Sequence, residues 1–168
     1  MLTLDLARLD LEGSLEIEAA IPVDSPLWEG SGLEMARPLV VSLRASEAGS
    51  GEIIASGRIS GALAGECRRC LKAVETVIDQ DVVLVFTDST GDEDGGDLRV
   101  IPEGELELDV GEAIREELLL ESERFVECDP ECKGLCPTCG INRNDQTCEC
   151  TVDEPDPRWD ALRALKSE

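Results

Sequence analysis

Histidine and tyrosine are absent from this chain, and its aromatic side chains are Trp28, Phe86, Phe125 and Trp159. Without histidine, the commonest general base and the Ser-His and Cys-His nucleophile pairs are missing, which removes much ordinary hydrolase chemistry. With so few rings, a core has to be filled by leucine, valine, isoleucine and alanine. Basic residues are scarce as well: 15 lysines and arginines stand against 38 acids, a formal charge of −23. A surface this acidic repels phosphate, which disfavours broad electrostatic binding to nucleic acid or to an anionic membrane, and it attracts a basic partner. The plainer role of such charge is solubility. No apolar run approaches membrane-spanning length. The opening MLTLDLARLDLEG sets leucines among acids instead of joining a basic head to an apolar run, so it does not read as a secretory signal. The expectation is a cytoplasmic protein with reduced thiols.

In that setting eight cysteines argue for metal before disulfides. They fall into four close pairs: Cys67/Cys70, Cys128/Cys132, Cys136/Cys139 and Cys148/Cys150. Structural zinc takes four ligands, so no pair completes a site alone. Intact pairs can combine into two four-sulfur sites in three ways. The segment CPTCGINRNDQTCEC, Cys136 to Cys150, is compact enough to close one site by itself, with Pro137 pre-setting the turn and Gly140 tolerating a tight backbone. That division leaves Cys128/Cys132 for Cys67/Cys70. Two zinc ions are expected, although four thiolates also suit iron, notably at the C-terminal site.

Around the first pair, alternation predicts strands. Leu15, Ile17, Ala19 and Ile21 form one face, as do Leu39, Val41, Leu43 and Ala45. Ile53 to Leu63 alternates more weakly, and Val74, Thr76, Ile78, Val82, Leu84 and Phe86 share a face of a long segment. The last two segments flank GECRRCLK, which predicts a long hairpin with CRRC at its tip. Asp88 to Asp97 is a glycine-rich acidic loop. As a calcium loop it fails, because Gly96 and Asp97 stand where a ligand and the turn glycine belong. Asp109 and Glu112 have capping-box spacing ahead of Val110, Ala113, Ile114 and Leu118, which predicts a helix to about Glu121. DPRWDALRALK predicts a short terminal helix, with Trp159 either in a core or anchoring a partner. The fold class expected is α+β. It comprises an antiparallel, barrel-like sheet with one main helix over residues 1–122, then a cysteine-rich metal-binding module with a short helix over 123–168.

Two chemistries compete with structural metal. Cys67 and Cys70 could act as a thiol-disulfide oxidoreductase, with Arg68 and Arg69 lowering the Cys67 pKa. That motif, however, normally opens a helix in a βαβ unit, and here it lies between two alternating segments. Alternatively, Cys136, Cys139, Cys148 and Cys150 could form a rubredoxin-like electron carrier. The arginines have a plainer use in offsetting the charge of a four-thiolate site, about −2. With Lys72 they could also make a small RNA contact.

CRRCL after a strand, the helix VGEAIREELLL, then CKGLCPTCGINRN, CEC and DPRWDALRALK, in that order, resemble the YceD family. These bacterial and plastid proteins are associated with accumulation of large-subunit ribosomal RNA. The resemblance spans roughly Gly57 to Lys166, while the N-terminal strands match only in pattern. It implies a non-enzymatic role in large ribosomal subunit biogenesis, acting on a ribosomal protein or a subunit precursor. A small zinc-ribbon protein of that subunit, often encoded beside family genes, is a candidate partner. Some members keep the early CxxC and lack the CPxCG segment, which implies separable sites. Here ESERFVEC replaces the proline-containing link that often follows the helix.

Overall fold

Alternating apolar and polar side chains become a five-stranded sheet in the computed structural model, which describes residues 2–49, 51–87, 98–102, 104–122 and 125–150. Its strands are β2 (Ser14–Ile21), β3 (Met35–Glu47), β4 (Ile53–Glu66), β5 (Ala73–Thr87) and β6 (Leu98–Val100), neighbours in that order. Ahead of them stand β1 (Thr3–Asp5) and α1 (Leu6–Glu12). Strand β7 (Glu107–Asp109) leads directly into α2 (Val110–Glu121) and pairs antiparallel with β1 as a separate ribbon.

Each expected strand face is the one that packs. Leu15, Ile17 and Ile21 are buried, as are Leu39, Val41, Leu43 and Ala45. On β5, Ile78, Val82, Leu84 and Phe86 are buried, while Val74 and Thr76, nearer the hairpin tip, are half-buried. Strand β4 alternates weakly because its partner bulges. Register shifts separate the pairs Met35↔Leu63, Arg37↔Ala62 and Val40↔Ser60, and Pro38 lies within the second shift. Proline lacks the N–H that a regular ladder needs, so a bulge accommodates it. Opposite the bulge, the buried positions of β4 change phase between Ile59 and Ala62.

Two expectations need correction. The sheet is not a closed barrel: among the described residues β2 and β6 are its edges, and β6 runs parallel to β5, so the sheet is not wholly antiparallel. The main helix is α2, and a second, short α-helix, α1, which the pattern does not predict, stands beside it among the described residues. Asp5 caps α1 by accepting from the Arg8 N–H at 2.9 Å, and Gly13, at φ 73°, ends it with an N–H to the Leu9 carbonyl. Helix α2 forms as its pattern predicts. The Asp109 carboxylate accepts from the N–H groups of Gly111 and Glu112, and Val110, Ala113, Ile114 and Leu118 are buried. The Glu112 carboxylate is held by Arg115 at 3.0 Å, a different partner from the N-cap N–H that a full capping box would give it.

Leu4 and Leu108 of the ribbon, Leu9 of α1, Trp28 and the buried face of α2 share one apolar cluster with the sheet. The acidic loop 88–97 and the terminal segment that contains Trp159 lie outside the described residues. Among the described residues no helix is long and apolar enough to cross a membrane.

One glycine is fixed by close approach. A Cβ on Gly57, at φ 159°, would stand 2.1 Å from the Ser42 carbonyl oxygen and 2.8 Å from the Leu43 Cα. Both are backbone atoms of the neighbouring strand, so the strands would have to separate. Gly57→Ala is expected to destabilise the fold by at least about 1–3 kcal/mol, the usual range for overpacking. A urea midpoint equal to that of the parent would refute this.

Candidate metal centres

The β4–β5 hairpin runs in unbroken register from Ile53↔Phe86 to Glu66↔Ala73, which leaves Cys67 to Lys72 as its tip. There the chain turns back on itself. The Leu71 N–H donates to the Cys67 carbonyl at 2.8 Å, and the Cys67 N–H donates to the Lys72 carbonyl at 2.8 Å. The CPTCGI segment repeats this pairing atom for atom: Gly140 N–H to Cys136 O at 2.9 Å, Cys136 N–H to Ile141 O at 2.8 Å. In each loop the residue after the second cysteine adopts a left-handed conformation, Gly140 at φ 75° and Leu71 at φ 58°. Glycine takes that conformation freely, whereas leucine is strained in it. The repeated geometry aims both sulfurs of each loop to one side.

Two tetrads of sulfur result. Cys67, Cys70, Cys128 and Cys132 bring their Sγ atoms within 4.8 Å of one another, and Cys136, Cys139, Cys148 and Cys150 do the same. In the first, here called proximal, Cys67 Sγ lies 3.9 Å from Cys132 Sγ, and Cys70 Sγ lies 3.6 Å from Cys128 Sγ. A tetrahedral centre with metal–sulfur bonds of about 2.3 Å places its sulfurs about 3.8 Å apart. The donor set therefore fits a four-coordinate divalent metal of the kind thiolates prefer. Of the three ways to combine the pairs, the structure adopts the one in which Cys136 to Cys150 closes on itself.

Backbone donors favour ionised sulfur at the first position of each loop. The Cys128 N–H foremost, with those of Arg69 and Cys70, lowers the Cys67 pKa to about 6 against the opposing effect of burial. For Cys136 the Cys139 and Thr138 N–H groups do the same, again to about 6. Cys128 and Cys150 are pushed up to about 12, first by their sulfur neighbours Cys70 and Cys139 and then by burial. Four thiolates this close repel one another, and a divalent cation at their centre turns that repulsion into attraction. The metal would supply cross-linking and charge balance at these positions.

The proximal tetrad is the more enclosed: Cys67, Cys70 and Cys132 are buried beside Val74 and Leu135, with Cys128 exposed at the rim. In the distal tetrad Cys136 is buried, while Cys139 and Cys150 are exposed. Several contacts seat the C-terminal module on the hairpin tip. The Arg68 N–H donates to the Val126 carbonyl, and the Leu135 N–H to the Arg69 carbonyl, both at 2.9 Å. Gly134, at φ 71°, passes so close that a Cβ would meet the Arg69 carbonyl oxygen at 3.0 Å. Arg68 and Arg69 both pair with Glu127, at 2.5 and 3.9 Å, and the Arg68 guanidinium lies 6.0 Å from the Phe125 ring centroid. These arginines thus clamp the segment that delivers Cys128.

The two centres also touch. The Asn144 side-chain N–H donates to Cys132 Sγ at 3.3 Å, although Asn144 belongs to the loop between Cys139 and Cys148. No spacing rule in the sequence marks Asn144. The nearest signal is the run of side-chain amides in INRND, a composition suited to turns that bond to their own backbone.

A profile of the family described as "Large ribosomal RNA subunit accumulation protein YceD" matches residues 55–166, a stretch that contains both tetrads. An uncharacterised protein of Mycobacterium bovis is 29% identical over 170 residues, covering 96% of this chain and 79% of its own length. A chloroplastic large ribosomal RNA subunit accumulation protein YCED homolog 1 of Arabidopsis thaliana is 36% identical over 62 residues, 37% of this chain and 19% of that protein. The maize protein of the same description is 41% identical over 64 residues, 38% of this chain and 22% of that protein. No solved structure matches significantly.

Proposed function

Because the chain belongs to the YceD family, we propose that it acts in the accumulation of large-subunit ribosomal RNA as a non-enzymatic binding factor. The observation that carries this reading is the family match over 55–166, which takes in the hairpin tip and both tetrads. The metal at each tetrad is zinc: the proximal ion holds the C-terminal module on the tip of the sheet, and the distal ion closes the module's own loop from Cys136 to Cys150. Zinc has no redox chemistry and favours closed four-thiolate sites for structural work. The partner is a basic ribosomal protein, for which a surface of net charge −23 is suited. Holding such a protein away from non-specific RNA until its delivery would favour assembly of the large subunit.

A redox role for Cys67 draws some support from its lowered pKa, but this sulfur is fully buried among three others. A thiolate that exchanges disulfides has to be reached by its substrate. The functional test is a deletion strain. Ribosome profiles are expected to show depleted large subunits and altered large-subunit precursor RNA, both restored by the wild-type gene. Normal subunit ratios and normal precursors would refute the assignment.

A further inference from the structure

The sulfur–amide contact between the two tetrads has a consequence for how they fill. Asn144 is held from three sides. Its Oδ1 accepts the Lys133 N–H at 2.8 Å, its backbone N–H donates to Asn142 Oδ1 at 3.0 Å, and its Nδ2 donates to that same Asn142 oxygen at 2.8 Å. The remaining hydrogen of Nδ2 is directed to Cys132 Sγ at 3.3 Å. This set fixes the amide's orientation: flipped, it would aim oxygen at a sulfur and nitrogen at the Lys133 N–H. Asn142 is anchored in turn, its Nδ2 donating to Asp145 at 2.9 Å and its backbone carbonyl accepting from the Gln146 N–H at 3.0 Å.

The turn that presents Asn144 runs from Gly140 to Thr147, between distal ligand pairs Cys136/Cys139 and Cys148/Cys150. Closing the distal tetrad pins both ends of that turn. Its ordering entropy is then spent before the amide meets Cys132. A neutral N–H donor stabilises a metal-bound thiolate by lowering its electron density without adding charge. Such outer partners typically account for 10–100-fold in metal affinity. The same turn is tied to the proximal side by its backbone, since the Arg143 N–H donates to the Gly134 carbonyl at 2.9 Å.

We propose that Asn144 is a positioning residue that couples the two thiolate centres, so that loading the distal centre strengthens metal binding at the proximal one. The inference rests on the reading that both tetrads bind metal. Coupling of this kind is reciprocal, so a filled proximal centre also favours the distal one.

The test is a titration of the full metal-free chain with cadmium, followed by cadmium NMR, in which each tetrathiolate centre gives its own resonance. In the wild type the two resonances are expected to grow together or with the distal one leading. Asn144→Ala should weaken the proximal centre by about 10–100-fold and shift its resonance, with the distal resonance kept. Asn144→Asp keeps the oxygen that Lys133 needs and lacks the N–H for sulfur, so it should behave like the alanine variant. Cys148→Ser with Cys150→Ser should weaken the proximal centre by a similar factor in the wild type and add little in the Asn144→Ala background. Equal proximal affinity with and without Asn144 would overturn the coupling. So would loss of the distal resonance in both Asn144 variants, since it would reduce Asn144 to a part of the distal turn. Two ions bound independently would refute the coupling alone. Failure of the wild type to bind cadmium at either tetrad would refute the metal reading, and the coupling with it.

Discussion

Replacing Cys67 with serine is expected to remove one of two bound metal ions and to free the segment from Val126 to Leu135 from the hairpin tip, with the sheet still folded. A serine hydroxyl stays protonated near neutral pH and does not replace a thiolate ligand. What remains at this junction is weak by comparison. The pairs of Arg68 and Arg69 with Glu127 involve partly exposed side chains, and exposed ion pairs contribute only about 0–1 kcal/mol. Each of the two cross-junction backbone hydrogen bonds adds about 1 kcal/mol net. A structural zinc in a small peptide contributes about 10–16 kcal/mol, as much as the whole stability of many domains. The apolar cluster of the sheet shares no residue with the cluster of Cys67, Cys70 and Cys132, so its packing uses none of the proximal ligands. Native mass spectrometry should find one ion in place of two. Hydrogen exchange should show protection lost from Val126 to Leu135 and kept along β3, β4 and β5. Cys148→Ser should instead remove the distal ion and only weaken the proximal one. Indistinguishable effects of the two changes on global unfolding would contradict two centres with separate structural duties.

The grouping of the eight cysteines into two tetrads was visible in the sequence because its determinants are local. The period-2 pattern on each side of CRRC is long enough to specify a hairpin, and the paired spacing of the cysteines specifies ligand loops. Asp109 with the apolar positions of α2 is a local signal too, and the N-cap it predicts is present. What the sequence hid depends on distance. Strands β1 and β7 have three residues each and pair across a hundred positions, with Leu4 opposite Leu108, and no periodicity reports such a partner. Helix α1 buries one residue, Leu9, so its seven positions give no helical stripe to read. Closure of a barrel would require edge strands to find each other. Here the ribbon and the two helices cover the apolar face, and β6 joins in parallel, so the sheet stays open. Asn144 is hidden for the same reason, because its meaning lies in a sulfur contributed by a different tetrad.

Leu71 shows how local rules and fold can disagree at a site. Its position is equivalent to Gly140, and its side chain, 58% exposed, gains little from packing. Left-handed backbone at a residue other than glycine costs on the order of 1–3 kcal/mol and persists where the surroundings impose it. The hydrogen bonds from Cys67 to Lys72 and from Leu71 to Cys67 impose it here. Metal ligation by both loop cysteines would add to that constraint.

Association with a basic large-subunit protein is expected to slow as salt rises, with the dissociation rate nearly constant. Long-range attraction between a body of charge −23 and a cationic partner accelerates encounter more than it tightens the final complex. Steered association reaches about 10⁸–10⁹ M⁻¹s⁻¹ at low salt against roughly 10⁵–10⁶ without steering. Screening over about 8 Å at physiological ionic strength should therefore reduce the on-rate by about tenfold or more relative to low salt. The competing route is direct contact with ribosomal RNA through Arg68, Arg69 and Lys72 at the hairpin tip. Two of those cations are already paired with Glu127, and Glu66, Glu75 and Asp129 lie close by in the chain, on the strands and loop that meet at the tip. Stopped-flow association with isolated basic ribosomal proteins, beside titrations with ribosomal RNA fragments at the same salt concentrations, separates the two. Tight RNA binding that is lost in Arg68→Ala with Arg69→Ala, without affinity for the proteins, would overturn the acidic-carrier mechanism and leave the assembly role to an RNA-contacting tip. The balance of charge favours the protein partner, because a phosphate approaching the tip must cross the field of the whole acidic body before it meets an arginine that is not already engaged.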